Sequence, residues 1–302
     1  MSPHPRVSVI IPHLNEPDDL RRCLDALERQ RDDGIPFEII VVDNGSRVLP
    51  EAVCSGVRLE RESTPGPGPA RNRGAAVARA DILAFIDADC IVAPGWIREM
   101  VARFDAEPEV HCLAGDIRVA QQRDGYATAI EAYEHVFSYR VKLYVERDRY
   151  AATGNMAVRR SVFEAVGPFG GIAVMEDTDW GRRATALGFR IAYAPGMRVY
   201  TPPCRSFEEL TRRWDRHIAH DFEGIGPGVF GMAKWLARSL AIAASPAGEI
   251  VRILRSDRLA TPRERGLAFG CLARVRLYRA RKMLGLALTG NAVRMVESWN
   301  RD

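Results

Sequence analysis

Hydrophobic positions along the chain follow two rhythms. Val7-Ser8-Val9-Ile10-Ile11 is a short β-rich apolar run closed by Pro12, and residues 17–30 then place Leu20, Cys23, Leu24 and Leu27 at helical spacing. Residues 37–42 repeat the strand signal and break at Asp43-Asn44-Gly45-Ser46. A third run, 57–60, precedes the breaker cluster Pro65-Gly66-Pro67-Gly68-Pro69, after which the alanine- and arginine-rich residues 70–80 read as helix. Residues 82–86 are the fourth strand and end at Asp87-Ala88-Asp89. Strands that are continuously apolar and separated by helices predict an α/β fold with a mainly parallel central sheet covered by helices on both faces. Downstream the rhythm is helical: 126–145, 180–187, a stretch 206–221 opened by a Ser206/Glu209 capping box, 229–245 and 263–288. The expected division is an α/β domain over 1–222 and a basic helical extension over 223–302.

Ligands of such sheets bind at the carboxyl ends of the strands. Three polar loops fall there: His13-Leu14-Asn15-Glu16, the segment 43–46, and Asp87-Ala88-Asp89. The first of them has no glycine, which excludes the GxGxxG pyrophosphate loop of a Rossmann dehydrogenase. Two aspartates one residue apart after an apolar strand present hard oxygens on the same side, a donor set for Mg²⁺ or Mn²⁺ bridging a diphosphate.

The composition adds bounds. At 302 residues, 47% hydrophobic and 27% charged, the chain can bury a full-sized core and is not compositionally disordered. Lys234 and Arg238 interrupt its most apolar stretch, 229–245, so a spanning helix is not expected. The opening residues lack the regions of a secretory signal, which points to a cytoplasmic chain. The net charge of +4 is unevenly divided: residues 234–302 hold 14 Lys+Arg against 5 Asp+Glu, a surplus of nine, and the remainder stands at −5. A basic tail on an acidic body suits an anionic partner. Within it, Met232, Trp235, Leu236, Leu240 and Ala243 share a helical face opposite Lys234 and Arg238, which reads as a peripheral membrane helix; oligomerisation and core packing are the competing readings. Six cysteines without a CxxC pair or a Cys/His cluster read as buried thiols rather than a zinc site.

Six segments, read together, carry a resemblance. The run 7–16 ending Pro12-His13-Leu14-Asn15-Glu16, Val41-Val42-Asp43-Asn44-Gly45-Ser46, Ala70-Arg71-Asn72-Arg73-Gly74, Phe85-Ile86-Asp87-Ala88-Asp89, Thr153-Gly154-Asn155-Met156 and Glu176-Asp177-Thr178-Asp179-Trp180 stand in the order and spacing of family 2 glycosyltransferases. Over about residues 6–217 the chain resembles that family. The resemblance implies the GT-A fold and transfer of a sugar, with inversion, from a nucleotide diphosphate to an acceptor hydroxyl, with a divalent metal, Mg²⁺ or Mn²⁺. It implies that Pro12, His13, Asn15 and Glu16 line the nucleotide, that Asp43 and Arg71 contact nucleoside and phosphates, and that Asp87 and Ala88 flank the ribose. Asp87 and Asp89 would be the metal ligands, Gly154 and Asn155 would face the acceptor side, Asp177 would be the base and Glu176 its neighbour orienting the acceptor. Arg213 and His217, four apart on one helical face, could reach the diphosphate; the Gln-x-x-Arg-Trp motif of processive members is incomplete here, because Leu210 stands at its glutamine position.

The implied partners are a UDP-sugar first, with dTDP and GDP open, and a saccharide, glycolipid or small-molecule acceptor in polysaccharide or glycoconjugate synthesis. Nucleic acid is not an expected partner, and a homo-oligomer is open. Two other classes are weighed: a sugar-1-phosphate nucleotidyltransferase, which needs a glycine-rich basic loop absent from 12–17, and a non-catalytic nucleotide-sugar-binding scaffold, which the intact Asp87, Asp89 and Asp177 argue against.

Overall fold

A computed structural model of the chain describes residues 4–50, 56–122, 126–172, 174–225 and 228–289. Its elements run β1 (Val7–His13), α1 (Pro17–Glu28), β2 (Phe37–Asp43), β3 (Val57–Arg61), α2 (Pro67–Val77), β4 (Ile82–Ile86), β5 (Ile91–Val92), α3 (Trp96–Ala106) and β6 (Cys112–Val119). They continue α4 (Ala129–Phe137), α5 (Val141–Leu143), β7 (Asn155–Arg159), α6 (Arg160–Val166), α7 (Glu176–Ala186), β8 (Ile191–Thr201), α8 (Phe207–Glu223), α9 (Val229–Ala244), α10 (Ile250–Leu254) and α11 (Pro262–Thr289). The chain divides into two compact units, residues 1–118 with 139–202 and residues 119–138 with 203–302. The structural division therefore puts α4 and α8 with the C-terminal helices, whereas the sequence division at 222/223 grouped them with the strands.

The first unit is built on a sheet of order β3-β2-β1-β4-β7-β6-β8-β5. β3, β2, β1 and β4 are parallel neighbours, as their continuous hydrophobicity predicts. β7 then runs antiparallel to both β4 and β6, and β5 antiparallel to β8. The sheet is thus mixed, with its parallel half at the N-terminal end of the sequence. Every residue of β2 and β4 is buried, and α1 turns Leu20, Cys23, Leu24 and Leu27 into the core, so strand and helix periods both hold. Pro12 does not close β1 as expected: pairing to β2 runs on to His13↔Asp43, while the last pair with β4 is Ile10↔Phe85. Beyond that point β4 has left the ladder, and a residue without a backbone donor is tolerated there.

The strands absent from the sequence reading carry polar or breaking residues whose reason is tertiary. β6 contains Gly115 and Asp116, and β8 contains Pro195-Gly196. A Cβ at Gly115 would sit 2.2 Å from the Asn155 amide nitrogen and 2.3 Å from the Met197 carbonyl, so only glycine allows that approach. The Asn155 side chain, fully buried, donates to the carbonyls of Asp116 (3.0 Å) and Met197 (2.8 Å) and accepts from Trp96 Nε1 (2.9 Å).

The second unit is helical. α4, α8 and α9 all pack on α11, the 28-residue helix that the pattern over 263–288 anticipated. The single helix expected over 126–145 is broken: α4 ends at Phe137 and Ser138 is extended, with φ −89° and ψ 155°. Thr128 and Glu131 form a reciprocal capping box at its start. At the start of α8, Ser206 Oγ accepts from Glu209 N at 3.1 Å, as its sequence signature predicts, and Glu209 reaches back to Arg205 N. Leu210 is buried in this unit's core with Leu272 and Val275, which explains an apolar residue there. On α9 the expected single apolar face is divided. Trp235 is buried, its indole donating to Met283 O at 2.8 Å, whereas Leu236 and Leu240 face solvent. Cys23, Cys90, Cys112, Cys204 and Cys271 are buried free thiols, and Cys54 lies outside the described residues. Among the described residues no helix is long and apolar enough to cross a membrane.

Candidate active site

Three loops converge at the carboxyl edge of the parallel strands, and side chains stitch them together. Asn15, at φ 57°, donates its backbone N–H to Ser46 Oγ (2.9 Å), and its side-chain oxygen accepts from Arg47 N (2.8 Å). Asparagine tolerates that left-handed backbone better than most residues. Asn44 donates to the carbonyls of Glu62 (2.9 Å) and Thr64 (2.8 Å) and accepts from Gly66 N (2.7 Å), which ties the β2 loop to the entry of α2.

His13 and Asp43 form the base of this cluster, both buried. His13 Nε2 lies 3.3 Å from Glu16 N, which donates to it, so the proton sits on Nδ1 and points at Asp43 Oδ1, 3.3 Å away. Asp43 Oδ2 accepts from the backbone of Gly45 and Ser46 at 3.2 Å, an Asx turn. Burial would raise the Asp43 carboxyl, but the hydrogen bonds from Ser46, His13 and Gly45 outweigh it and hold it below its ordinary range. Both His13 ring nitrogens are therefore engaged within the protein, and the pair shapes the loop.

Arg71 organises the acids. Buried on α2, it donates from one terminal nitrogen to Asp87 Oδ1 (2.6 Å) and from the other to Glu176 Oε1 (3.1 Å). One guanidinium thus joins the end of β4 to the first turn of α7, across 89 residues of sequence. Gly154 closes the other side of Asp87: a Cβ there would lie 2.7 Å from Asp87 Oδ2. Ala88 is buried between the two aspartates. Asp89 accepts from the Cys90 thiol (3.4 Å) and from Thr201 Oγ1 (3.5 Å). Burial, with the negative charge of Asp87 next, pushes its carboxyl up to about 6. Asp177 is raised by burial and then by Glu176; its Oδ1 accepts from Thr178 N and Oγ1, and among the described residues Oδ2 takes no hydrogen bond. Asp179 pairs with Arg183 at 2.9 Å along α7.

One expected residue is placed elsewhere. Asn155, assigned by resemblance to the acceptor side, is instead the fully buried staple of β6, β8 and α3 described above, with both ends of its amide consumed. Arg213 and His217 lie on α8, in the second unit; the Arg213 side chain is outside the described residues, and the His217 ring sits 5.7 Å from that of Trp214. Asn44, Ser46 and Thr201 were not singled out from sequence. Asn44 and Ser46 follow Asp43 in a motif already noted, whereas nothing near Thr201 links it to residue 89.

The chemistry of the donor set fits a small divalent cation. Asp87 and Asp89 place two carboxylates at one strand end, and the Asp89 carboxyl, raised first by burial and then by the charge of Asp87, has no cationic side chain paired with it among the described residues. Among the described residues no group of three His, Cys, Asp or Glu could enclose a metal alone, so a cation there would take further oxygens from phosphate and water, the usual habit of Mg²⁺.

A mixed sheet with acidic loops gathered at its carboxyl edge and a C-terminal helical region is the architecture of the GT-A glycosyltransferases. The mannosyltransferase PcManGT of Pyrobaculum calidifontis, solved with GDP-Man and Mn²⁺, superposes with TM-score 0.53 over 98% of this chain and 79% of that one, at 19% identity. The chain belongs to glycosyl transferase family 2, whose sequence model matches residues 8–167. Glycosyltransferase AglE of Haloferax volcanii is 31% identical over 218 residues, 69% of this chain and 70% of that protein. The pre-mycofactocin glycosyltransferase of Mycobacterium tuberculosis is 28% identical over 203 residues, 64% of this chain but only 42% of its own length.

Proposed function

We propose that this chain transfers a glycosyl group, with inversion, from a nucleoside-diphosphate sugar to an acceptor hydroxyl. The observation that carries the reading is the Arg71 bridge, which gathers Asp87 and Glu176, with Asp89 and Asp177 beside them, into one acidic site at the sheet edge. The nucleoside lies against Pro12, Asn15 and Glu16, with the buried His13 and Asp43 holding that loop in shape, and Arg71 offers positive charge to the phosphates. Asp87 and Asp89 hold the divalent cation, which when bound offsets charge on the departing diphosphate. Asp177 Oδ2 takes the acceptor hydroxyl proton as that oxygen bonds to the anomeric carbon and the bond from that carbon to the diphosphate oxygen breaks. A carboxyl raised by burial and by Glu176 holds that proton better than an exposed one. Glu176, fixed by Arg71, orients the acceptor, and Gly154 leaves room beside Asp87.

The test is incubation with UDP-, GDP- and dTDP-sugars plus Mn²⁺, scored for sugar transfer or donor hydrolysis. UDP-sugars are the expected donors. D177N should lose transfer while keeping donor-induced thermal stabilisation, and D89A should lose both. No turnover of any donor, with D89A indistinguishable from the parent in donor binding, would remove the enzymatic reading and leave a nucleotide-sugar-binding scaffold.

We also propose that the second unit rests on an anionic membrane, where a lipid-linked acceptor would be found. Val229, Phe230 and Leu240 on α9 and Val251 and Leu254 on α10 are exposed, with Lys234, Arg252 and Arg255 among them. Apolar side chains flanked by cations suit an interface of that kind. Flotation with anionic liposomes at low salt should carry the protein upward. Protein that stays at the bottom and sediments as a dimer would assign the face to a second copy instead.

A further inference from the structure

The least satisfied charge among the described residues lies in the helical unit. Arg279, on α11, is only 7% exposed. It has no ion pair and no hydrogen-bond acceptor among the described residues, and its Nε is buried without a partner. Its one close companion is the face of Trp214 on α8, with the guanidinium carbon 3.9 Å from the ring centre. Burial, and then the charge of Arg276 one turn away, lowers its pKa to about 10. A stacked indole compensates part of the lost hydration of a guanidinium, but an ion without a counterion in such a place is costly.

The neighbouring acids do not supply that counterion. Asp221 is held by Arg238 at 2.6 Å. Glu249 is held by Arg252 at 2.5 Å and lies 3.8 Å from Arg276, whose own Nε is also buried and unpartnered. Tyr133, from α4, completes the surroundings; its hydroxyl is pushed up to about 12 by burial, against the pull of Arg276 and Arg279. Among these described residues Arg279 has no carboxylate in reach, and Arg276, one helical turn away on the same side of α11, shares Glu249 with Arg252.

We infer that Arg279 and Arg276, with Trp214 as the wall behind Arg279, form a binding site for a phosphate-type oxyanion within the second unit, independent of the transferase reading. Guanidinium groups one turn apart offer several N–H donors to tetrahedral oxygens, and an oxyanion would compensate their charge. Either a free phosphorylated metabolite or the phosphate of a lipid head group has this chemistry.

The experiment is titration of the full chain at constant ionic strength with inorganic phosphate and pyrophosphate, followed by calorimetry and thermal shift, and flotation with phosphatidylcholine vesicles with and without phosphatidic acid. The parent should bind one of these probes saturably. R279M, which keeps the stem on Trp214, and R276Q should each bind about tenfold more weakly or not at all. Without anion, R279M should melt at or above the parent temperature, because an uncompensated buried charge is gone. Loss confined to the soluble anions assigns a free phosphate, and loss confined to the acidic vesicles assigns a lipid. If R276Q, whose site is partly exposed and tolerant, binds both probes as the parent does, or if R279M melts lower while the parent shows no saturable binding, the arginine is a packing element and the site does not exist.

Discussion

Replacing Asn155 by leucine tests the reassignment of that residue from the acceptor side to the sheet interior. Leucine keeps the branched shape and removes all polar capacity. The substitution would strand three buried groups: the carbonyls of Asp116 and Met197, now receiving bonds of 3.0 and 2.8 Å, and the Trp96 indole N–H, now donating over 2.9 Å. Each buried donor or acceptor left unpaired costs about 1–3 kcal/mol, so the three together cost about 3–9 kcal/mol. That is a large fraction of the stability of an ordinary domain. Urea unfolding monitored by tryptophan emission should show a correspondingly lower midpoint with an unchanged slope. Residual folded enzyme at low temperature should keep its affinity for the acceptor. A loss below about 1 kcal/mol, together with a raised KM for the acceptor, would show that the amide faces substrate and that the reasoning from burial is wrong.

Three further outcomes follow from the charges. Asp89 is raised from 3.8 to about 6, so the metal-free fold binds an extra proton between those values. The associated stability is present below pH 4 and lost as pH rises through 6, roughly 2–3 kcal/mol; Mn²⁺ should raise the melting temperature at pH 7.5 and not at pH 4.5, and equal shifts at both would refute the assignment. Arg71→Met strands Asp87 and Glu176 beside each other and should cost about 3 kcal/mol in chemical denaturation. Arg71→Lys, unable to span both carboxylates, should recover only part, and full recovery would show that charge alone matters. Glu38 is buried within β2 and accepts from Ser8 Oγ, Arg79 N and Arg79 Nε. Burial opposes these bonds, but they hold its carboxyl below the ordinary range, so its contribution is present above pH 4.5 and disappears as the solution is acidified below that. Glu38→Gln should flatten the acid limb of the stability curve, and an unchanged limb would contradict it.

Legibility from sequence tracked how local the cause was. β1, β2, β3 and β4 were readable because each is a short run that carries its own hydrophobic signal, and the loops after β1, β2 and β4 because strand ends of such sheets collect polar residues. β6 and β8 were not, because Gly115, Asp116 and Pro195-Gly196 interrupt the pattern for the sake of partners far along the chain. The same contrast holds within the candidate site. Asp87, Asp89 and Asp177 were named from their segments, while nothing in a segment says that Arg71 will span from Asp87 to Glu176 or that Thr201 will reach Asp89.

By itself, then, the sequence determined the α/β class and the family, since these depend on short segments whose spacing survives without coordinates. Tertiary structure decided what each polar residue does once it arrives. His13 and Asn155 stood in motifs that resemblance turned toward substrate, and burial turned them toward the protein, because a buried donor or acceptor takes whatever partner the fold brings within hydrogen-bonding reach. The basic tail shows the same division: the charge surplus was countable in the sequence, but only the packing of α4, α8 and α11 left Arg279 buried with an aromatic wall and, among the described residues, no counterion.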